Sequence, residues 1–355
     1  MVCMMWALCL SVVGESRMVC RGVMGRLLGC MMAVVLCCVL WGCEDHHSFT
    51  MDDYAEASAA DGWICDGSYY VVFVGDTQVY TNDGGLMPYF LYSMAWVEGQ
   101  AVGHGNVRGV VFLGDMTENN VWWQWDNFVL GKEFVKSCPV VGVTGNHDYD
   151  WSGSGRIGSR ESSLFNDYFY RDGRMGHIVG RFDDGMENVV ACLEVGGERL
   201  YILALEFGPR PEVVAWARKV VESACGERFV LVTHEWILGH RRVGDDSYAT
   251  MQFNGEGCSS PENVWNALVR GHDNIVATVC GHNGFSEVIY SRNDAGRMVP
   301  QILFNLQYQE NGGNGYVELW EFPAVGDSVS VAVYDTFNRR VVDGDETYFK
   351  FRYKY

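Results

Sequence analysis

The sequence predicts an α/β fold in one domain, a sandwich of β-sheets with helices packed outside. Two patterns carry this reading. From Tyr69 onward, short apolar runs rich in valine alternate with helical patterns, and the tail from Met298 to Tyr355 is rich in strands with almost no helical pattern. The length of 355 residues, 48% of them hydrophobic, supplies enough apolar side chain for one large core.

In chain order, the predicted strands are Tyr70–Val74, Gly109–Leu113, Val140–Val143, Phe229–Val232 and Ile275–Val279. They are short and mostly apolar or β-branched, as strands covered on both faces are. Between them, Pro88–Glu98, Asn120–Val135, Pro211–Ala224 and Pro261–Val269 read as helices. Three of these open on proline, which the first helical turn accepts because its N–H has no intrahelical partner. Val189–Glu206 has a different texture: Val195-Gly196-Gly197-Glu198 divides two strand-like stretches and signals a hairpin.

Ahead of the domain, Met24-Gly25-Arg26 is followed by the apolar stretch Leu27–Leu40 and then Trp41-Gly42-Cys43. A positive start, a short apolar region and a small residue before a cysteine describe an export signal. The box resembles a bacterial lipoprotein signal. That implies a protein exported to the bacterial cell envelope, lipid-anchored at Cys43 or secreted, with membrane contact through residues 1–43 alone. Residues 44–66 read as a polar tether to a folded domain over 67–355. Seven of the thirteen cysteines fall in the first 43 residues, and the other six show no CxxC or zinc-finger spacing.

The net charge of −19 repels a phosphate backbone, so no nucleic acid polymer is expected as a partner. A small phosphorylated substrate remains compatible where a cation neutralises the site. The sequence sets no oligomeric state.

Each predicted strand ends in a polar cluster: Gly75-Asp76-Thr77-Gln78, Gly114-Asp115-Met116-Thr117-Glu118, Gly145-Asn146-His147-Asp148, Thr233-His234-Glu235 and Gly281-His282-Asn283-Gly284. In open α/β sheets ligands bind outside the carboxyl ends of the strands, so clusters far apart in sequence converge there. Carboxylate, amide oxygen and neutral imidazole suit manganese, magnesium, iron, zinc or calcium better than thiolate metals, and the expected cofactor is one or two such divalent ions. His104, His177, His240 and His272 lack this context and read as structural or surface residues.

The order of these clusters resembles the calcineurin-like metallophosphoesterase family, whose pattern is Asp-x-His, Gly-Asp, Gly-Asn-His-(Asp/Glu), His and Gly-His-x-His. The resemblance covers Tyr69 to Asn283, with Gly145-Asn146-His147-Asp148 its most specific piece. A bacterial branch with Asp-Thr-Gln in the first motif is the nearer likeness, and Gln307 or Gln309 before Gly312-Gly313-Asn314-Gly315 is similar to its tail.

The family fold implied is a sandwich of two mixed β-sheets flanked by helices. The resemblance implies hydrolysis of a phosphate mono- or diester by a metal-bound hydroxide. It assigns Asp115 as the bridging ligand, Asn146, His234 and His282 to the second metal, and Asp76 with the Gln78 amide to the first. His147 is implied near the leaving group, braced by Asp148. Asn146 and Arg210 are expected on the substrate phosphate. Gln78 and Gly284 stand where the family has histidines. They favour an oxygen-rich first site suited to magnesium, manganese or calcium. They also support an alternative, a degenerate envelope lipoprotein that binds metal or phosphate without turnover.

Overall fold

The computed structural model describes residues 50–57, 64, 67–152, 157–253, 257–344 and 346–354. The expected signal segment lies outside these residues. The described residues belong to one compact unit, Cys43–Tyr355.

Part of the expected tether is helical. Helix α1 (Met51–Ala57) opens on a reciprocal cap, in which Asp53 N donates to Thr50 Oγ1 and Thr50 N donates to Asp53 Oδ2. Tyr54 is buried, with its ring 6.5 Å from both Tyr92 and Phe134. One aromatic anchor thus docks a segment whose composition reads as polar.

The first sheet is built on β1 (Ser68–Val74), β2 (Val107–Phe112) and β3 (Val140–Gly142), which run parallel. Between them lie α2 (Gln78–Asn82), α3 (Met87–His104) and α4 (Trp122–Lys132). Helix α3 outruns its predicted end at Glu98. That carboxylate is buried and accepts from Lys136 N, Ser137 N and Ser137 Oγ, and the helix stops only at Gly105, at φ 66°. Helix α4 starts after its predicted Asn120, which sits at φ 48° with its amide spent on Asp150, Ser162, Leu164 and Trp125.

A two-stranded ribbon, β4 (Asp150–Ser152) with β5 (Ile157–Ser159), and the short helix α5 (Phe165–Tyr168) lead to the second sheet. Its members are β6 (Ile178–Arg181), β7 (Val189–Val195), β8 (Glu198–Ala204), β9 (Arg228–Val232), β10 (Ile275–Cys280), β11 (Phe285–Arg292) and β12 (Met298–Asn305), in the order β11-β12-β10-β9-β8-β7-β6. The β7–β8 hairpin turns at Gly196 and Gly197, both at positive φ, as a two-residue turn between twisted strands requires. Helix α6 (Pro211–Ser223) buries Val213, Val214, Ala217 and Val221 on one face, and α7 (Tyr248–Gln252) and α8 (Pro261–Val264) follow, the latter continuing as a π turn over Trp265–Val269.

The tail returns to the first sheet as β13 (Val317–Pro323), β14 (Ser328–Asp335), β15 (Arg340–Val341) and β16 (Tyr348–Arg352), with β13 antiparallel to β1. Both sheets are therefore mixed, and the architecture is the expected sandwich flanked by helices. β8, β9, β10 and β12 run parallel, like β1 to β3. Their carboxyl ends bring Asp76, Asp115, Asn146, His234, His282 and Asn305 into mutual contact.

Candidate metal centre

Asp115 follows β2 at φ 49°, and His282 follows β10 at φ 72°. Such backbone costs non-glycine residues on the order of 1–3 kcal/mol and persists where surrounding bonds impose it. Asp115 Oδ1 accepts His147 N at 2.8 Å, and its Oδ2 lies 3.1 Å from His234 Nε2. His234 Nδ1 donates to Leu113 O at 2.7 Å, which leaves Nε2 toward Asp115. The approach is close enough to need glycine: a Cβ on Gly114 would stand 2.4 Å from His234 Nδ1.

Asn146 Oδ1 lies 2.7 Å from His282 Nδ1 and 3.2 Å from His234 Nε2. Asp115, His234 and His282 each offer a ligand atom within 4.8 Å of the others. One amide oxygen, one carboxylate and two imidazoles converging at this spacing fit a divalent ion. The fields agree. Burial raises the Asp115 carboxyl, but His234 and His147 outweigh it and hold it down to about 2. Burial lowers His234, yet Asp115 and Asp76 lift it to about 10, a proton that a divalent ion displaces. Burial and the His234 charge push His282 down to about 3, so it is neutral, as a metal-binding imidazole must be.

Asp76 lies beside this group, and burial raises its carboxyl to about 8. Its Oδ1 accepts His282 N, and its Oδ2 accepts both Asn305 Nδ2 at 2.7 Å and Gln307 Nε2 at 3.2 Å. Gln78 heads α2, is buried, and its Oε1 has no hydrogen-bond partner; Gln307 Oε1 shares both properties. A buried amide oxygen without a donor is costly unless something electropositive faces it. Asn305 and Gln307 come from the carboxyl end of β12, and of the two glutamines named for this segment it is Gln307 that reaches Asp76.

Two of the expected residues have other partners. Asp148, expected to brace His147, makes its hydrogen bonds to the neighbouring loops. Its Oδ2 accepts Gly145 N and Met116 N, and its Oδ1 accepts Thr117 N and Thr117 Oγ1, so it ties the second polar loop to the third. Burial and Asp115 raise its carboxyl to about 7 against those donors. The His147 ring is held instead by Glu118, whose carbonyl meets Nδ1 at 2.8 Å. Burial lowers His147, but Asp115 and Glu118 outweigh it and the net shift is upward. Arg210, expected on the phosphate, is bound to a carboxylate. Its Nε and Nη2 bind Glu206 at 2.8 and 3.2 Å, a carboxylate that also receives Asn188 and lies 3.6 Å from Arg160.

Other neighbours carry no signal in local sequence. Gln252 Nε2 donates to Asn146 O at 2.9 Å, and the Tyr248 ring packs 5.2 Å from His282. Glu235 organises both by accepting Ser247 Oγ, Tyr248 N and Ala249 N at the start of α7. Of the three tryptophans after the second cluster, Trp125 is core, while Trp122 and Trp123 are exposed.

Comparison with known proteins bears on this geometry. A family model described as calcineurin-like phosphoesterase matches residues 69–283. An uncharacterized protein of Bacillus subtilis (strain 168), YvnB, is 24% identical over 286 residues, covering 76% of this chain and 20% of its own. The chain thus spans about a fifth of that relative's length. Among solved structures, the purple acid phosphatase PPD1 of yellow lupin (Lupinus luteus) seeds superposes with a TM-score of 0.48 at 14% identity, over 82% of this chain and 55% of its own. A 5'-nucleotidase precursor from Thermus thermophilus gives 0.41 at 15% identity, over 80% of this chain and 54% of its own. The chain spans about half the length of these two.

Proposed function

The chain belongs to the calcineurin-like phosphoesterase family, and from that membership we propose that it is a phosphoric ester hydrolase dependent on a divalent metal ion. The observation that carries the reading is the convergence of Asp115, Asn146, His234 and His282 at the ends of parallel strands. An ion bound there supplies Lewis-acid activation of water and neutralises phosphate charge.

The chain's own groups divide the remaining work. Asn146, expected on the phosphate, presents its amide between the two imidazoles. His147 meets Glu118 at Nδ1, and Asp115 and Glu118 shift its pKa upward, which suits a proton donor to the leaving oxygen. Asp148 keeps the loops of Asp115 and Asn146 in register. The orphaned oxygen of Gln307, on the amide that holds Asp76, favours a hard ion such as magnesium or manganese on that side, and the orphaned Gln78 oxygen is a second candidate donor.

The sequence from Met24 to Cys43 supports a substrate met outside the cytoplasm. Gly284, where the family has a histidine, is the sequence departure behind the second reading, a protein that binds metal and phosphate without turnover.

The test uses the full-length protein, stripped of metal and reconstituted with Mg²⁺, Mn²⁺, Zn²⁺ or Ca²⁺. 4-Nitrophenyl phosphate and bis(4-nitrophenyl) phosphate are the substrates. Metal-restored turnover that Asn146→Ala and His147→Ala both remove is the expected result. Metal binding at this site with no turnover of either ester supports the second reading instead.

A further inference from the structure

At position 284 the family pattern has a second histidine, and here that space belongs to another residue. A Cβ on Gly284 would stand 2.0 Å from Tyr308 Cδ2 and 2.6 Å from Cε2. The tyrosine ring therefore lies directly on glycine backbone, and a side chain there would have to displace it. Tyr308 follows Gln307, whose amide holds Asp76, so the ring sits at the rim of the metal pocket. Burial raises the Tyr308 hydroxyl, and Asp76, Asp115, Glu118 and Tyr248 push the same way, which puts the phenol in the field of the pocket's acids.

The rim carries exposed aromatic residues. Tyr308 is 72% exposed and Phe285 66% exposed, and Phe285 pairs across the sheet with Asn305, the other clamp on Asp76. A ring this exposed is poorly placed to ligate an ion within the pocket. It is well placed to meet whatever projects from the pocket. Phosphate charge belongs at the imidazole and carboxylate cluster, which leaves the organic group of an ester to the rim. A planar group stacks on an aromatic face with a gain that a small aliphatic alcohol lacks.

We propose that Tyr308, seated in the space left by Gly284, contacts the organic group of the ester and selects planar aromatic alcohols over small aliphatic ones. This rests on the phosphoesterase reading above. Gly284 and Tyr308 act as a pair: the missing side chain makes room for the ring.

The experiment compares full-length, metal-loaded wild type with Tyr308→Ala, Tyr308→Phe, Gly284→Ala and the double variant Gly284→Ala/Tyr308→Ala. Selectivity is read as kcat/KM for 4-nitrophenyl phosphate over glycerol phosphate. Calorimetric binding of phenylphosphonate and methylphosphonate runs in parallel, so that a protein without turnover still reports the contact. Tyr308→Ala is expected to lower the aryl preference about ten-fold in both readouts. Tyr308→Phe, which keeps the ring, retains it. Gly284→Ala pushes the ring aside and reproduces most of the loss, while the double variant loses no more than Tyr308→Ala. Loss of metal would lower both esters together, and is measured by metal content. An unchanged preference in Tyr308→Ala, or additive losses in the double variant, overturns the proposal. Phosphonate preference that depends on Tyr308 without turnover sinks the hydrolase reading and leaves the contact standing. Binding of neither phosphonate by the wild type overturns both.

Discussion

Replacing Asp148 with asparagine alters one atom in the residue that joins the two central loops of the pocket. Four donors point at the carboxylate: Met116 N at 3.2 Å and Gly145 N at 2.9 Å on Oδ2, Thr117 N at 3.0 Å and Thr117 Oγ1 at 3.1 Å on Oδ1. Asparagine fits best with its NH₂ at the Oδ1 position, because the Thr117 hydroxyl can turn to accept from it. The Thr117 N–H then faces a donor in a fully buried site. One charge-assisted bond lost and one buried donor stranded cost about 3 kcal/mol of stability. The loops so loosened carry Asp115 and Asn146, and metal affinity is expected to fall 10–100-fold, as when ligand-orienting partners are removed. His147→Ala is the contrast. It keeps the backbone N–H that donates to Asp115, so metal affinity stays within about two-fold while turnover drops on the order of 10²–10⁴-fold. Calorimetric titration of Mn²⁺ into metal-stripped protein and urea denaturation read the two variants side by side. If Asp148→Asn kept wild-type metal affinity and stability while losing turnover like His147→Ala, the carboxylate would be acting through the imidazole, and loop pinning would be wrong.

Two further predictions concern residues outside the ligand cluster. Burial raises the Glu318 carboxyl to about 8, with only Trp320 Nε1 to oppose it. A folded pKa above the unfolded one means stability is full below the ordinary carboxylate pKa and declines as pH rises through the folded value, at up to about 1.4 kcal/mol per pH unit. Glu318→Gln should flatten that decline between pH 5 and 8 in urea midpoints, and parallel profiles for the two proteins would rule it out. Arg210→Ala should cost about 1–3 kcal/mol by stripping Glu206 of its bidentate partner, with KM for phosphate esters moving less than about two-fold. A ten-fold rise in KM with unchanged stability would return Arg210 to the substrate.

Much of the fold was legible because buried parallel strands impose a simple code. Apolar runs such as Val140–Val143 can only sit where both faces are covered, and a parallel arrangement puts all their carboxyl ends on one edge. The five polar clusters could therefore be assembled from sequence order alone. What the code omits is the partner of each polar atom. Asp148 beside His147 in sequence invites an imidazole contact, yet the backbone turn aims the carboxylate at three N–H groups instead. Arg210 had its carboxylate four residues upstream in Glu206, a pairing that is visible only once the bend at Phe207 and Gly208 is known. Asn305 and Gln307 reach Asp76 because β12 lies parallel to β10, a long-range pairing that no local pattern encodes.

Gly284 marks the deepest limit of motif reading. Counted against a family pattern, glycine for histidine is a deletion, and deletions argue for lost function. Packing answers a different question, namely what now fills the volume. Here an aromatic ring fills it, 2.0 Å from where a side chain would begin, on the same rim as a second exposed aromatic and one residue from the amide that holds Asp76. A volume so filled weighs toward a site reshaped for a particular ester and against one abandoned, and turnover whose aryl preference falls in Tyr308→Ala separates the two.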